Sequence, residues 1–303
     1  MMKKVILIGI LSLGLFIAGC GDSGKDNAFE VPFDGKMEHV HGIGYAGKDK
    51  GLYFASHTGL KMYKDGQWLK TSKNHNDYMG FNAVDDGFYT SGHPGENTDL
   101  PNPIGIQRST DGGKSLKQVD FEGETDFHVM AVGFFSHDIF LMNPAENSKL
   151  GQGFYRSNDK GESWEEAAGS GLEGDLLHLA IHPSDSNWIA AATSNGIYLS
   201  EDAGDRFELI SVDGTGTSVY FDEENLYFAS FTSRPEMTKY HLSDASKEKI
   251  ELPELNEDGP VYIAKKPQDE KEFAIYTIKG QAFISKDGMK SWEQILDNGN
   301  VIK

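Results

Sequence analysis

Short apolar runs alternate with turn residues along this chain, and one order of them recurs. Between Asp175 and Ser211, Leu176 to Ile181 is an apolar run, Trp188 to Thr193 a second, Ile197 to Ser200 a third and Phe207 to Ile210 a fourth. Runs this short, bounded by Gly, Asn, Asp and Ser, read as strands rather than helices. Ser194-Asn195-Gly196 separates the second run from the third. An Asn-Gly pair there predicts a hairpin whose central residues take positive φ. No segment sustains an apolar period of 3.6 residues, so the pattern predicts an all-β chain.

The connection after the third run carries a marker, seen best as Ser157-Asn158-Asp159-Lys160-Gly161-Glu162-Ser163-Trp164. Its other copies begin at Ser109, Ser200 and Ser285, with spacings of 48, 43 and 85 positions. Because 85 is close to twice 43, a degenerate copy is expected near residue 243, where Ser243-Asp244-Ala245 stands. Four antiparallel strands in a repeat of about 43 residues are the signature of a propeller blade. The units fall near 38–72, 78–121, 126–168, 175–211, 217–253 and 260–298, which predicts a six-bladed β-propeller of four-stranded antiparallel blades. In the first unit Tyr63-Lys64-Asp65-Gly66-Gln67-Trp68 replaces the marker.

The four copies resemble the Asp-box, or BNR repeat, of sialidases, sortilin-like receptors and related propellers. The matching residues are Ser109, Asp111 and Gly113; Ser157, Asp159, Gly161 and Trp164; Ser200, Asp202, Gly204 and Phe207; and Ser285, Asp287 and Trp292. The resemblance implies the fold and says little of chemistry, since the box occurs in hydrolases and binding proteins alike. Many such proteins are labelled glycosyl hydrolases by similarity. A turn of this kind needs Gly for permissive φ, Asp and Ser to bind its own amides, and an aromatic ring to pack between blades. The box residues are therefore read as stabilising, and their oxygens as too sparse for calcium.

The N-terminus differs in kind. Lys3 and Lys4, the apolar run Val5 to Phe16 and the small residues before position 20 read as an export signal over 1–19. Ile17-Ala18-Gly19-Cys20 resembles the lipobox of bacterial lipoproteins, which implies lipidation at Cys20, the only cysteine. Residues 20–35 are polar and read as a flexible tether, leaving 36–303 for the propeller. The expectation is a lipid-anchored protein at the cell membrane, facing outside the cytoplasm.

The formal charge of −19 becomes −21 once Lys3 and Lys4 are removed, which excludes nucleic acid as a partner of the surface as a whole. The 35 glycines, 18 Phe and 12 Tyr suit many short strands and tight turns.

Strands alternate in direction, so the boxes mark one face of the disc. His39, His41, His57, His75, His93 and His128, six of the ten histidines, fall on the other. His39 and His41, two apart on a strand, are expected to point the same way about 7 Å apart. Asp77, Met79, Asp126 and Met130 fall in the same neighbourhood. Neutral imidazoles suit zinc and copper, so a metal or ligand site is expected on blades one to three. The plainer reading is hydrogen-bonded histidines at strand ends.

Sialidases grip their sugar with three arginines. Here Arg108, Arg156 and Arg206 lie by the boxes and only Arg234 lies elsewhere, so that activity is not expected. Another glycosidase needs two carboxyls roughly 5 to 9.5 Å apart, for which Asp77 and Glu96 are the weak catalytic candidates. Three functions stay open. The first is a binder of a small ligand or of copper or zinc, the second an exported glycoside hydrolase acting on a glycan. The third is a sortilin-like scaffold for an exported protein.

Overall fold

The computed structural model describes residues 28–48, 51–96, 98–211 and 214–302. The segment expected to be an export signal, and Cys20, lie outside the described residues. The first strand, β1 (Glu30–Pro32), precedes a blade of β2 (Val40–Gly44), β3 (Leu52–Ser56), β4 (Gly59–Lys64) and β5 (Gln67–Thr71). The second blade is β6 (Asp77–Val84), β7 (Gly87–His93), β8 (Ile106–Ser109) and β9 (Lys117–Asp120). The third is β10 (Met130–Val132), β11 (Ile139–Asn143), β12 (Gly153–Ser157) and β13 (Glu165–Ala167). The fourth is β14 (Leu176–Ile181), β15 (Ile189–Thr193), β16 (Gly196–Ser200) and β17 (Glu208–Ser211). The fifth is β18 (Thr215–Phe221), β19 (Asn225–Phe231), β20 (Pro235–His241) and β21 (Lys247–Ile250). The sixth is β22 (Pro260–Lys265), β23 (Phe273–Thr277), β24 (Ala282–Ser285) and β25 (Glu293–Asp297), followed by β26 (Asn300–Val301). Each blade is a separate antiparallel sheet in chain order, so the chain is the six-bladed propeller that the repeat predicts.

The six hydrophobic clusters each span two neighbouring blades, and the cluster of Met37, Phe54, Trp68, Tyr276 and Leu296 joins the last blade to the first. Second strands such as Leu52–Ser56 and Ile189–Thr193 are buried on both faces, hence their continuous apolar runs. Fourth strands such as Lys117–Asp120 are largely exposed.

Ring closure uses both ends of the chain. Strand β1 pairs with β5, so this segment extends the first blade, and Glu30–Pro32, within the stretch expected to be a tether, is a strand. Lys36 bridges Asn300, and the Met37 amide donates to the Gly299 carbonyl at 2.7 Å. Gly299 turns there at φ +79°, where a Cβ would stand 2.3 Å from the Met37 oxygen, so only glycine fits.

The hairpin at residues 194–196 differs from expectation. Thr193 pairs with Gly196, so Ser194 and Asn195 form the turn and Gly196 opens the next strand. Each box also closes on itself. Ser157 Oγ accepts from the Gly161 amide at 2.8 Å, and Asp159 accepts from the Ser163 amide and hydroxyl at 2.8 and 2.5 Å. Trp164 Nε1 donates to Asp120 of the preceding blade at 2.9 Å.

Five of the six innermost strands carry a bulge, β10 being the exception. The ladder slips between Val40 and Gly42 in β2, and at the matching place in β6, β14, β18 and β22. His41, Leu177, Thr217 and Val261 are the extra residues of blades one, four, five and six. A bulge re-aims its side chain and bends the strand.

Candidate functional site

Three loop elements meet on the face opposite the boxes. His57 and Thr58 are the two turn residues between β3 and β4, closed by the Ser56–Gly59 pair. Beneath them Lys61 Nζ donates to Thr58 Oγ1 at 2.6 Å, to the Thr58 carbonyl at 2.7 Å and to Ser56 Oγ at 2.9 Å. Burial, and then the charge of Lys70, hold that amine down at about 8. The turn that presents His57 is thus fixed from below by a buried cation.

His41 is aimed by the bulge in β2, and its Nε2 lies 3.3 Å from Nε2 of His57. His57 Nδ1 lies 2.6 Å from Asp77 Oδ2, and His41 Nε2 lies 3.9 Å from Asp77 Oδ1. The His39 ring stacks 6.4 Å from that of His41 and stands edge-on, 5.2 Å from that of His57. The expected strand period does not set this arrangement. His39 precedes β2 with φ +33° and His41 is the bulged residue, so local backbone distortion brings the rings together. Burial, then the neighbouring His57, bring His41 down to about 4, against the opposing pull of Asp77. Its imidazole is therefore neutral at physiological pH, with one N–H and one lone pair.

The third element is the entry to β10. Asp126 Oδ2 lies 3.2 Å from His93 Nε2 and 3.1 Å from His128 Nδ1. On its other side His93 Nδ1 lies 2.7 Å from Asn102 Oδ1, which the long loop after β7 supplies. Burial raises the Asp126 carboxyl, while His128 and His93 pull it down. Blade two joins the groups: Asp77, facing His57, and His93, facing Asp126, are directly paired across β6 and β7. Both carboxylates keep one buried oxygen, Asp77 Oδ1 and Asp126 Oδ1, without a hydrogen-bond partner.

The residues singled out from sequence divide clearly. His39, His41, His57, Asp77, His93 and His128 gather on this face. His75 does not join them, because its Nε2 bonds the Thr71 carbonyl at 2.9 Å against the first blade. Glu96 is exposed on the loop after β7 and makes no hydrogen bond or ion pair among the described residues. Met79 and Met130 are buried. Asn102 was missed by sequence reasoning, and no spacing signal pointed to it.

The box face has features of its own. A cleft of about 470 Å³ is lined by Phe134, Phe135, Tyr220, Glu223 and Lys265. His137 meets Asp85 at 2.8 Å and Asp86 at 3.9 Å. Arg108 already neutralises Asp86 at 2.5 Å, and Tyr89 meets the other ring nitrogen of His137 at 3.3 Å. All four arginines pair with carboxylates, so no arginine triad forms.

Comparison with known proteins agrees with the architecture. Residues 105–254 match the Sortilin-Vps10 family model, described as sortilin, neurotensin receptor 3. A GH74 xyloglucanase from Xanthomonas campestris is 16% identical with a TM-score of 0.54, over 88% of this chain and 46% of that one. A GH74 enzyme from Niastella koreensis is 18% identical with a TM-score of 0.57, over 89% and 47%. The structure of YCF48 bound to D1 peptide is 15% identical with a TM-score of 0.52, over 89% and 85%. The chain spans about half the length of the two GH74 enzymes. At such identities the likeness establishes the fold alone, a β-propeller. No curated protein matches the sequence.

Proposed function

We propose that this chain is a membrane-tethered propeller, facing outside the cytoplasm, that binds copper or zinc through the histidine-bearing face of its first three blades. The observation that carries the reading is the meeting of His41, His57 and Asp77. Two nitrogens bound to one tetrahedral zinc stand about 3.3 to 3.4 Å apart when each bond is about 2.0 to 2.1 Å. The 3.3 Å between the two Nε2 atoms already has that span. His57 turns its other nitrogen to Asp77, the carboxylate–imidazole pairing that orients metal-bound histidines. His39 stands ready as a third imidazole. Imidazole suits zinc and copper, and zinc also accepts a carboxylate oxygen.

Titration calorimetry with zinc and copper on the chelator-stripped protein tests this. Saturable binding is expected, with Asp77→Asn weakening it about 10- to 100-fold. Binding that is absent, or unchanged in a His41→Ala/His57→Ala variant, would sink the metal reading. The tether rests on the lipobox resemblance at Cys20: Cys20→Ala should move the protein from the membrane to the soluble fraction.

A second reading is an exported glycoside hydrolase, favoured by two carboxylates, Asp77 and Asp126, near enough on one face for the charge of Asp77 to raise Asp126. In it Asp126 replaces Glu96 as the partner of Asp77. A panel of chromogenic glycosides separates the readings, since Asp126→Asn should abolish any hydrolysis found.

A further inference from the structure

The cleft on the box face takes no part in the metal reading. Loops of four blades wall it: Phe134 and Phe135 belong to the β10–β11 connection, Pro183 to β14–β15, Glu223 and Glu224 to β18–β19, and Glu270 to β22–β23. We propose that this cleft binds a small organic cation, an ammonium ion bearing apolar groups. The proposal goes beyond the metal reading and does not depend on it, because the histidines occupy the opposite face.

The first observation is Phe135. Its ring is 52% exposed, yet the amides of Phe135 and Ser136 both donate to the Pro183 carbonyl, at 2.9 and 3.0 Å, so blade four holds the loop in that position. Phe134 meets it edge-on with the ring centres 4.8 Å apart, and the two rings form a corner. A ligand finds that corner already built, which keeps the ordering cost of binding small.

The second is charge. Lys265 and Asp222 neutralise each other at 2.7 Å, and Asp222 also accepts from the Asn225 amide at 2.8 Å and the Tyr227 hydroxyl at 3.1 Å. Asp222 is therefore committed to the fold. What remains along the cleft is Glu223, Glu224 and Glu270 against Lys239 alone. Carboxylates set around a low-dielectric aromatic wall concentrate cations there.

The third is a precedent within the cleft itself. Lys265 Nζ lies 5.7 Å from the centre of the Phe273 ring while it pairs with Asp222, so an ammonium of the protein's own is held between an aromatic ring and a carboxylate. Aromatic faces attract cations through the ring quadrupole. Nearer the solvent, Phe134, Phe135 and Tyr220 beside the three glutamates offer the same combination to a ligand.

Size favours a small molecule. The volume of about 470 Å³ falls among small-ligand sites, which span roughly 300 to 1,000 Å³. Among the described residues the other exposed large hydrophobics, Leu177, Leu209, Ile278 and Ile302, do not line it. A protein partner, covering roughly 800 Å² on each side, thus finds no broad apolar surface around the cleft.

The test compares two probes of one shape. Binding of meta-hydroxyphenyltrimethylammonium and of its uncharged isostere meta-tert-butylphenol is measured by ligand-observed NMR titration. Wild type should prefer the cation about 10-fold. Phe135→Leu keeps an apolar side chain but removes the ring, and should weaken the cation about 2- to 5-fold while leaving the isostere unchanged. Glu224→Gln/Glu270→Gln should weaken the cation and flatten its dependence on salt. Circular dichroism confirms that the variants are folded. Saturating zinc should leave the preference unchanged, so the failure of either reading leaves the other standing. Equal affinity for the two probes, or no saturable binding, overturns the proposal. A preference that survives both sets of substitutions overturns its placement in this cleft.

Discussion

Replacing Lys61 by Met probes the scaffold beneath the site. The Lys61 residue is 3% exposed, and its amine titrates at about 8 rather than 10.5 because its charge is buried. The native state therefore holds this proton less tightly than the unfolded chain does. The cost of burying the ammonium is fully present below pH 8 and fades as pH rises towards the unfolded value of about 10.4. Linkage between those two values gives a gain of roughly 2 kcal/mol in wild-type stability, relative to Lys61→Met, from pH 7 to pH 9.5. The variant also loses the donor to the Thr58 carbonyl, a pH-independent cost of about 1 to 3 kcal/mol. Urea unfolding of both proteins at pH 7, 8, 9 and 9.5 reads the gap between them, and other titrating groups cancel in the difference. A gap that stays constant, or moves in the opposite direction, refutes the account of a buried charged lysine. Because the same amine fixes the His57 turn, Lys61→Met should also weaken metal binding by up to about 10-fold, without removing any ligand.

Two further outcomes test the fold. Asp159 sits near 2 because the Ser163 hydroxyl and amide, and then Ser157, donate to its carboxylate, and Asp287 is held likewise by Ser291 and Ser285. Their folded values lie below the unfolded one of about 3.9, so their contribution is present above it and lost as pH falls towards 2. Asp159→Asn/Asp287→Asn should flatten the fall in melting temperature between pH 4.5 and pH 2.5, and an unchanged slope contradicts this. Gly299→Ala and Gly66→Ala impose the same left-handed strain, at φ +79° and +77°, but only the former drives a Cβ against backbone, 2.3 Å from the Met37 oxygen. Gly66→Ala should cost about 1 kcal/mol and Gly299→Ala clearly more, and equal losses in urea unfolding would show that the seam yields freely.

The marker spacing made the architecture legible, because a repeat of Ser, Asp and Gly turns counts blades without reference to any partner. It also sorted residues by face, which is why His39, His41, His57, Asp77, His93 and His128 could be grouped from sequence. What it could not supply was direction within a face. His75 lies two residues before Asp77, on the segment leading into β6, yet a bond to Thr71 turns it away. Glu96 shares its loop with Asn102, but only Asn102 folds back onto His93. The Asn195-Gly196 pair read as the centre of a turn because its chemistry allowed it, whereas the ladder register placed that centre one residue earlier. Side-chain aim depends on bulges and hydrogen bonds between blades, and these leave no period in the sequence.

The bulge on the innermost strands works as a socket that the repeat supplies several times over. His41 and His57 in blade one occupy the places that Leu177 and Ser194 hold in blade four, where the ladder slips at the same step and the same two-residue turn follows. Leu177 is accordingly pushed out to 48% exposure. The backbone that presents the imidazole pair is thus common property of the disc, and the difference between the two blades is a matter of decoration. Such a scaffold can acquire, move or lose a binding site by changes at two positions while the ring that carries it stays as it was.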